Sequence, residues 1–283
     1  MAGNEIVVVF DFDSTIIECD SDNWLLDNFG LTENFYQLLP TMPWNPLMDR
    51  MMKELHTQGK TIEDIVEVLK RTPMHPRIVP AIQAAYSLGC ELKIVSDANI
   101  FFIETILKHH GIWDCFSEIT ANPSYVSEEG RLRIFPYHDY LKSSHGCSLC
   151  PPNMCKGIII ERLQSSLLAA EGKNKKKVIY IGDGKGDFCP SLKLKESDHV
   201  LPRKSFPLLD LVTKNSNKIE AEVHGWSDGE ELEHVLLQII NTAINIEGRN
   251  KSNSTAAFSG DCKLGSIPID AHEALPKALP VPI

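Results

Sequence analysis

Two short acidic segments of the chain each follow a run of apolar residues. Asp11 and Asp13 come directly after the run Ile6–Phe10. Residues 182–187, Gly-Asp-Gly-Lys-Gly-Asp, come directly after the run Val178–Ile181. Each run predicts a buried strand of an α/β sheet, which presents its chemistry where the strand ends. Carboxylates gathered at such an edge repel one another unless a cation lies among them, so the pattern predicts metal-assisted phosphoryl chemistry.

The positions of these carboxylates predict separate roles in cleaving a phosphate ester. Asp11 is the predicted nucleophile, because an aspartate forms an acyl phosphate that is readily hydrolysed. Asp13 points the same way along the strand and is predicted to protonate the leaving oxygen and then deprotonate the attacking water. Mg²⁺, the predicted cofactor, is expected to bind Asp11, the main-chain carbonyl of Asp13 and Asp183. Asp187 is expected to hold metal-bound waters or to pair with a lysine.

Two further residues at element boundaries are predicted to bind the phosphoryl oxygens. Ser96 ends a predicted strand and offers a hydroxyl group, which is also suited to cap the helix that follows. Lys156 begins a predicted helix, so its ammonium group and the helix N-terminus both favour negative charge. Catalysis is therefore predicted to depend on Asp11, Asp13, Ser96 and Lys156.

The remaining pattern predicts an α/β fold that positions these residues. Helical periodicity from about Ser21 to Arg71 predicts a small helical cap, inserted after the first strand at about residues 18–78. Elsewhere strands alternate with helices, which is typical of a Rossmann-like, doubly wound parallel sheet. The core is predicted to cover residues 1–250, and residues 251–283, which lack periodicity, are predicted to form a disordered tail. Strands are predicted at Ile6–Phe10, Glu91–Ser96, Phe116–Thr120, Arg131–Phe135, Val178–Ile181 and His199–Leu201.

Composition argues against several functional classes. The net charge of −10, with no basic stripe, argues against a general nucleic-acid binder. No apolar stretch approaches the roughly 20 residues needed to cross a membrane, and no signal-peptide pattern is evident. The expectation is a cytoplasmic protein whose partner is a small-molecule phosphate ester, not a nucleic acid or a membrane; the sequence does not indicate the oligomeric state.

One segment between the two acidic motifs is rich in cysteine. His145, Cys147, Cys150 and Cys155 lie within eleven residues and could close around a zinc ion. A structural zinc site usually shows two well-spaced ligand pairs, however, and this segment has a single Cys-x-x-Cys step. Free packed thiols and a redox-sensitive pair are the alternatives.

In this order, the motifs resemble the four motifs of the haloacid dehalogenase superfamily. Asp-x-Asp-x-Thr occupies residues 11–15, Ser96 and Lys156 follow, and Gly-Asp-Gly-x-x-Asp occupies residues 182–187. The second aspartate, Asp13, is typical of the phosphatases of that superfamily and is absent from its dehalogenases. The resemblance covers about residues 5–245 and implies a Mg²⁺-dependent phosphatase with an aspartyl-phosphate intermediate.

Three segments resemble the branch of phosphoethanolamine/phosphocholine phosphatases more closely. They are Ser-Asp-Ala-Asn at 96–99, Pro-Pro-Asn-Met-Cys-Lys at 151–156 and the stretch 182–190. Residues 21–24 and 39–44 are similar to plant members of that branch, some of them phosphate-starvation-induced. The resemblance implies phosphoethanolamine and phosphocholine as substrates.

The predicted cap carries residues that would choose the substrate. Its first turn places Asp20 and Asp22 beside Trp24, and an acidic, aromatic pocket suits ethanolammonium or choline. Asp97, next to Ser96, could add to the negative potential of that pocket. Each of these residues is also suited to structural hydrogen bonding or core packing.

Basic residues of the same cap leave other substrates open. Arg50, Lys53 and Lys60 would favour a second anion, as in pyrophosphate. Related enzymes also act on pyridoxal phosphate and thiamine monophosphate. The remote alternative is a non-catalytic binding protein that kept the fold.

Overall fold

The computed structural model describes residues 6–169 and 176–256. Its strands, in chain order, are β1 Ile6–Phe10, β2 Glu91–Asn99, β3 Phe116–Asn122, β4 Ser124–Val126, β5 Leu132–Ile134, β6 Lys177–Gly182, β7 His199–Pro202 and β8 Glu222–Val223. Six of them form one parallel sheet in the order β3-β2-β1-β6-β7-β8, and β4 and β5 form a separate antiparallel pair. This confirms the predicted doubly wound α/β fold.

Strand β1 lies at the middle of the sheet because its sequence suits burial on both faces. All five residues of Ile-Val-Val-Val-Phe are buried, and four of them are β-branched. Phe10 is level with Ile94 of β2 on one side and with Ile181 of β6 on the other. The residues that follow β1 and β6 therefore emerge side by side at the carboxyl edge of the sheet.

Helices cover both faces of the sheet and fill the segment between β1 and β2. They are α1 Ser21–Phe29, α2 Thr32–Leu38, α3 Trp44–Thr57, α4 Ile62–Leu69, α5 Ile78–Ser87, α6 Ile100–His109, α7 Lys156–Ala169, α8 Phe188–Ser191, α9 Pro207–Lys214 and α10 Gly229–Ala256. The first four lie in the segment predicted to form a cap. A capping box joins Thr61 and Asp64 at the start of α4, as the sequence indicates.

The helical segment has its own apolar interior, which is continuous with the core under the sheet. Met48, Met51, Met52 and Leu55 of α3 lie on one buried face at helical spacing. An ionic contact fastens this helix to the β4–β5 pair, because Asp49 accepts hydrogen bonds from Arg131 and Arg133. Helix α3 is therefore held on one side by the apolar core and on the other by the β4–β5 pair.

The structure differs from the sequence-based boundaries at several places. Strand β2 continues past Ser96 to Asn99, because Asn99 pairs with Asn122 of β3 after an irregularity in the register. Strand β8 has two exposed residues and no apolar pattern that could have predicted it. Helix α10 runs to Ala256, past the predicted start of the tail at residue 251, and the rest of the predicted tail, residues 257–283, lies outside the described residues.

A membrane-spanning helix would need both length and an apolar sequence. Within the described ranges, no helix has both.

Candidate active site

Three carboxylates meet where β1 and β6 end. Asp11, Asp183 and Asp187 each place one oxygen within 4.8 Å of the others. The backbone N–H of Asp11 donates to the carbonyl of Ile181 at 2.8 Å, which extends the strand pairing and keeps the two strand ends together. The predicted metal ligands Asp11 and Asp183 are thus neighbours.

A single buried ammonium group lies between two of these carboxylates. The Nζ of Lys156 is 2.8 Å from the Oδ1 of Asp11 and 2.9 Å from the Oδ1 of Asp187. Burial lowers the pKa of Lys156, but Asp11 and Asp187 outweigh this and hold it well above its usual value. The lysine therefore stays charged at the first residue of α7, where it can attract a phosphoryl oxygen.

The carboxylate of Asp187 is bonded to other groups of the protein. It accepts hydrogen bonds from the Tyr180 hydroxyl at 2.7 Å and from the backbone N–H groups of Asp183 and Gly184 at 3.1 and 2.9 Å. Burial opposes its ionisation, but Lys156 and these donors outweigh burial and lower the pKa of Asp187. Of the two predicted arrangements, the structure shows Asp187 paired with a lysine, and its charge fixes the turn that carries Asp183.

Burial and mutual repulsion disfavour ionisation of the other two carboxylates. Burial, followed by the charge of Asp187, raises the pKa of Asp11 well above its usual value, although Lys156 opposes the shift. The same two causes raise the pKa of Asp183 to about 7. Hard oxygen donors that repel one another in a buried site are suited to a divalent cation such as Mg²⁺.

Asp13 lies in a different environment from Asp11. Its Oδ1 accepts a hydrogen bond from the backbone N–H of Ser21 at 3.1 Å, at the start of α1. Burial, then the charges of Asp20 and Asp22, raise the pKa of Asp13 well above its usual value. A carboxyl group that holds its proton in this way is suited to donate it to a leaving oxygen.

The loop after β1 is held by Arg203, which the sequence analysis did not identify. Arg203 donates to the carbonyl of Ser14 at 2.6 Å and also pairs with Glu18. Ser14 itself has a φ of 53°, in the left-handed region that non-glycine residues rarely occupy. The guanidinium also stacks over the Trp226 ring at 5.0 Å. No local pattern distinguishes Arg203 in the sequence, because its partners are remote along the chain.

Ser96 lies beyond the last paired residues of β1 and β2 and is fully buried. Its hydroxyl oxygen accepts a hydrogen bond from the backbone N–H of Ala98 at 3.2 Å. The cap of α6 is Asn99, whose side chain accepts from the backbone N–H of Phe102 at 3.2 Å. Ser96 is therefore not needed as the helix cap, and its hydroxyl hydrogen remains available for an oxygen at the site.

An acidic cavity of about 280 Å³ adjoins Asp13. It is lined by Asp13, Asp20, Asp22, Trp44, Asp97, Pro151 and Asn153. Within the described ranges its lining includes no lysine or arginine. The cavity therefore presents three further carboxyl groups and one indole beside Asp13, the predicted general acid.

Asp22 is the most buried of the substrate-binding candidates. Its Oδ2 accepts a hydrogen bond from the indole N–H of Trp44 at 2.6 Å. Its Oδ1 is buried and, among the described residues, makes no hydrogen bond of ordinary geometry, although the Asn99 side chain lies close enough to favour the ionised form of Asp22. Burial, followed by the charge of Asp20, raises the pKa of Asp22 to about 7. A buried carboxylate oxygen with no hydrogen bond of ordinary geometry suits a ligand that brings a donor or a positive charge.

The remaining substrate-binding candidates occupy different positions. Asp97 lines the cavity, and its Oδ1 is 3.9 Å from the Nζ of Lys156. Trp24 instead donates to the carbonyl of Val68 at 3.1 Å and packs against the apolar core. The indole beside the cavity is that of Trp44, so the structure places Trp44 where Trp24 was expected.

The turn after β6 depends on the absence of a side chain at Gly182. A Cβ built there would lie 2.5 Å from the Cγ of Asp187, a contact that real Cβ atoms do not make. We expect Gly182→Ala to displace Asp187 and lower kcat/KM about tenfold or more, because Asp187 holds both Lys156 and the Asp183 turn. Steady-state kinetics at saturating Mg²⁺ would measure the loss.

Gly186→Ala is the matched control in the same turn. Its Cβ would meet Lys156 Cε at 3.8 Å, an ordinary contact, and we expect less than about a threefold change. Equal losses in the two variants would contradict the assigned role of Asp187.

The fold and the site together are those of a phosphatase. A phosphoserine phosphatase solved with its substrate has the same fold, with a TM-score of 0.52 over 81% of this chain and 97% of that chain at 15% identity. The chain belongs to the family described as "Putative Phosphatase", whose sequence model matches residues 6–240.

Two plant proteins are similar over most of their length. "Inorganic pyrophosphatase 2" from Arabidopsis thaliana is 58% identical over 261 residues, which cover 92% of each chain. "Thiamine phosphate phosphatase-like protein" from the same plant is 51% identical and covers 84% of this chain and 96% of its own. The relatives agree on phosphatase chemistry and differ in the substrate that their names give.

Proposed function

We propose that this protein is a Mg²⁺-dependent phosphomonoesterase that hydrolyses small amine-bearing phosphate esters, phosphoethanolamine and phosphocholine above all. The observation that carries the choice of substrate is the acidic cavity beside Asp13, in which Asp22 keeps a buried oxygen without a hydrogen bond of ordinary geometry. The phosphatase chemistry itself is supported by the meeting of Asp11, Lys156 and Asp183 at one edge of the sheet.

The reaction begins with attack on phosphorus by a carboxylate oxygen of Asp11. A bond forms between that oxygen and phosphorus while the ester oxygen leaves, and Asp13 gives this oxygen its proton. In the second step a water molecule gives its proton to Asp13 and attacks the phosphorus of the aspartyl phosphate. Inorganic phosphate leaves, and both carboxyl groups return to their starting states.

Charge on the phosphoryl oxygens is balanced by groups on three elements. Lys156 supplies a permanent positive charge at the start of α7, and Ser96 supplies a hydroxyl group from within β2, just past the residues paired with β1. Mg²⁺, held by Asp11, Asp183 and the main-chain carbonyl of Asp13, would neutralise charge on Asp11 and on the phosphoryl group. The protein contributes to catalysis by holding these charged groups in position before the substrate binds.

The cavity favours a cationic leaving group by its charge. An ethanolammonium or choline group beside the ester oxygen would lie among Asp20, Asp22 and Asp97, and the Trp44 indole lines the same cavity, where an aromatic ring can attract a cation. A second phosphate group would meet the same carboxylates and be repelled. The cap residues that would favour an anion lie elsewhere: Lys60, for example, lies over the Phe29 ring and lines a separate cavity.

The second candidate function is hydrolysis of inorganic pyrophosphate. It is favoured by the 58% identity to a protein named inorganic pyrophosphatase. The same nucleophile and acid could cleave a phosphoanhydride bond, because the leaving group is again an oxygen attached to phosphorus. The leaving phosphate would then need a cation of its own to offset the charge of the cavity.

A substrate screen by kcat/KM tests the proposal. Phosphoethanolamine, phosphocholine, pyrophosphate, pyridoxal phosphate and thiamine monophosphate would be compared at equal free Mg²⁺, with a chelator control. We expect the two amino-alcohol esters to rank first and the chelator to stop turnover. If pyrophosphate leads by a factor of about ten or more, the substrate assignment is wrong and the second candidate stands.

Asp22→Asn is expected to weaken selection of the amine without weakening catalysis. Loss of one charge–cation contact is worth about 1.5–3 kcal/mol, so kcat/KM for phosphoethanolamine should fall about 10- to 100-fold. Activity toward p-nitrophenyl phosphate, which has no cation, should change less than about threefold, and activity toward pyrophosphate should be unchanged or higher. The asparagine oxygen can still accept from Trp44, which keeps the local fold.

The same carboxyl group predicts a pH dependence of substrate binding. Because burial raises the pKa of Asp22 to about 7, its carboxyl group is about half ionised near neutrality and gains charge as the pH rises. KM for phosphoethanolamine should therefore fall as the pH rises from about 6 to about 8, and Asp22→Asn should remove most of that fall. Asp27→Asn, which changes an exposed carboxylate of the same helix, is the control. An equal loss on all substrates would contradict a role in selection.

A further inference from the structure

Four cysteine side chains from separate parts of the chain meet beside the active site. Cys147 and Cys150 come from the loop before α7, Cys155 directly precedes α7, and Cys189 lies in α8. All four sulfur atoms lie within 4.8 Å of one another. Cys155 and Cys189 are buried, and the other two are half-buried. This convergence of long-range and local residues is what a metal site requires and what a chance cluster of thiols seldom shows.

The spacing of the sulfur atoms fits a tetrahedral metal ion. Sγ of Cys189 lies 3.7 Å from Sγ of Cys147 and 3.8 Å from Sγ of Cys155. Zinc bound by thiolates at about 2.3 Å places the sulfur atoms of a tetrahedron about 3.8 Å apart. A disulfide would need about 2.05 Å. We propose that Cys147, Cys150, Cys155 and Cys189 bind one Zn²⁺ ion as a closed structural site.

This assignment corrects the ligand set that the sequence suggested. His145 was the fourth candidate ligand in the sequence, but its Nε2 donates to the carbonyl of Pro151 at 2.9 Å. Its Nδ1 accepts a hydrogen bond from the backbone N–H of Cys147 at 3.1 Å. Both ring nitrogens are therefore in use, and Cys189 takes the fourth place. Four sulfur ligands are soft and select zinc, whereas the oxygen ligands at the strand ends suit Mg²⁺.

The zinc site would fasten the start of α7, which carries Lys156, to α8, which follows the lysine's partner Asp187. Cys155 is followed directly by Lys156, and Cys189 lies two residues after Asp187. These are the two partners of the buried 2.9 Å ion pair. The first turn of α7 approaches α8 so closely that a Cβ on Gly157 would lie 2.4 Å from Sγ of Cys189. The bound ion would therefore position the lysine that faces the phosphoryl group.

Metal analysis tests the proposal on the full chain, purified with a thiol reductant and without chelators. Plasma mass spectrometry should find about one zinc per chain in the wild type. The double variant Cys147→Ser/Cys150→Ser should lose the zinc, while Cys115→Ser, a change of a remote half-buried cysteine, and His145→Ala should keep it. A brief exposure to a chelator should stop Mg²⁺-dependent turnover and leave the zinc content unchanged, which separates this site from the strand-end carboxylates.

A second measurement on the wild type covers the case in which the double variant does not fold. X-ray absorption at the zinc edge should show four sulfur neighbours at about 2.3 Å, and replacement by Co²⁺ should give the strong visible bands of a tetrahedral thiolate complex. Folded, reduced protein without stoichiometric zinc would overturn the proposal. So would a nitrogen neighbour that disappears in His145→Ala, or a disulfide between any two of the four cysteines.

Discussion

Asp11→Asn is expected to abolish turnover of every phosphate ester, with a fall in kcat of at least about 10³-fold, because the amide cannot form the aspartyl phosphate. The fold should survive the change. An asparagine oxygen can still accept from Lys156, and Asp187 remains as the charged partner of that lysine at 2.9 Å. The loss would therefore report on chemistry and not on stability.

Trapping of the intermediate makes this test specific. Wild-type enzyme quenched in acid during turnover of a radiolabelled ester should carry label that hydroxylamine releases, as an acyl phosphate does. The Asp11→Asn variant should carry none, while Asp114→Asn, an exposed carboxylate elsewhere, should behave as wild type. Equal turnover in wild type and Asp11→Asn would refute the enzyme assignment, and label retained in that variant would move the nucleophile to another residue.

The sheet and the approach of its acidic ends could be predicted from the sequence. The runs Ile6–Phe10 and Val178–Ile181 are apolar throughout and predict fully buried strands, whose ends meet at one edge in a parallel sheet. The register shows why the prediction works: Phe10 and Ile181 are level, so the residues that follow them are neighbours. Hydrophobic patterning and strand direction were sufficient to predict that the two acidic strand ends meet, without any knowledge of side-chain packing.

The surroundings of the site could not be predicted in the same way. Arg203 and Cys189 act through contacts with residues remote in the sequence, and no local period marks either one. Trp24 and Trp44 are both indoles on the helices after β1, so the sequence offers no reason to prefer one. Packing decides: Trp24 donates to Val68, and Trp44 faces the cavity through its bond to Asp22.

The two aspartates of the first motif differ in the charges around them. Both are pushed toward the neutral form by burial, but Asp11 faces Lys156 at 2.8 Å, which favours its ionised form. The charges that face Asp13 are those of carboxylates, Asp20 and Asp22 foremost, and these favour its protonated form. The pKa of both groups is raised, but a facing ammonium group opposes the rise only at Asp11, which suits Asp11 to the role of nucleophile and Asp13 to that of acid.

Asp13→Asn is therefore expected to separate the two steps of the reaction. General acid–base catalysis contributes about 10²- to 10⁴-fold, so steady-state turnover should fall by that factor on all substrates. With p-nitrophenyl phosphate, whose leaving group needs little protonation, the first step should survive, and stopped-flow measurements should show a burst of about one nitrophenolate per active site. The aspartyl phosphate on Asp11 should then accumulate, because no base deprotonates the attacking water.

With phosphoethanolamine the same variant should show no burst. Its alkoxide leaving group needs the proton that asparagine cannot give, so the first step fails as well. The double variant Asp11→Asn/Asp13→Asn should show no burst with either substrate, which ties the burst to Asp11. A burst of equal size with both substrates would mean that Asp13 does not protonate the leaving group. Rapid steady turnover of both would assign the proton transfer to another residue of the cavity, with Asp22 and Asp97 the next to be replaced.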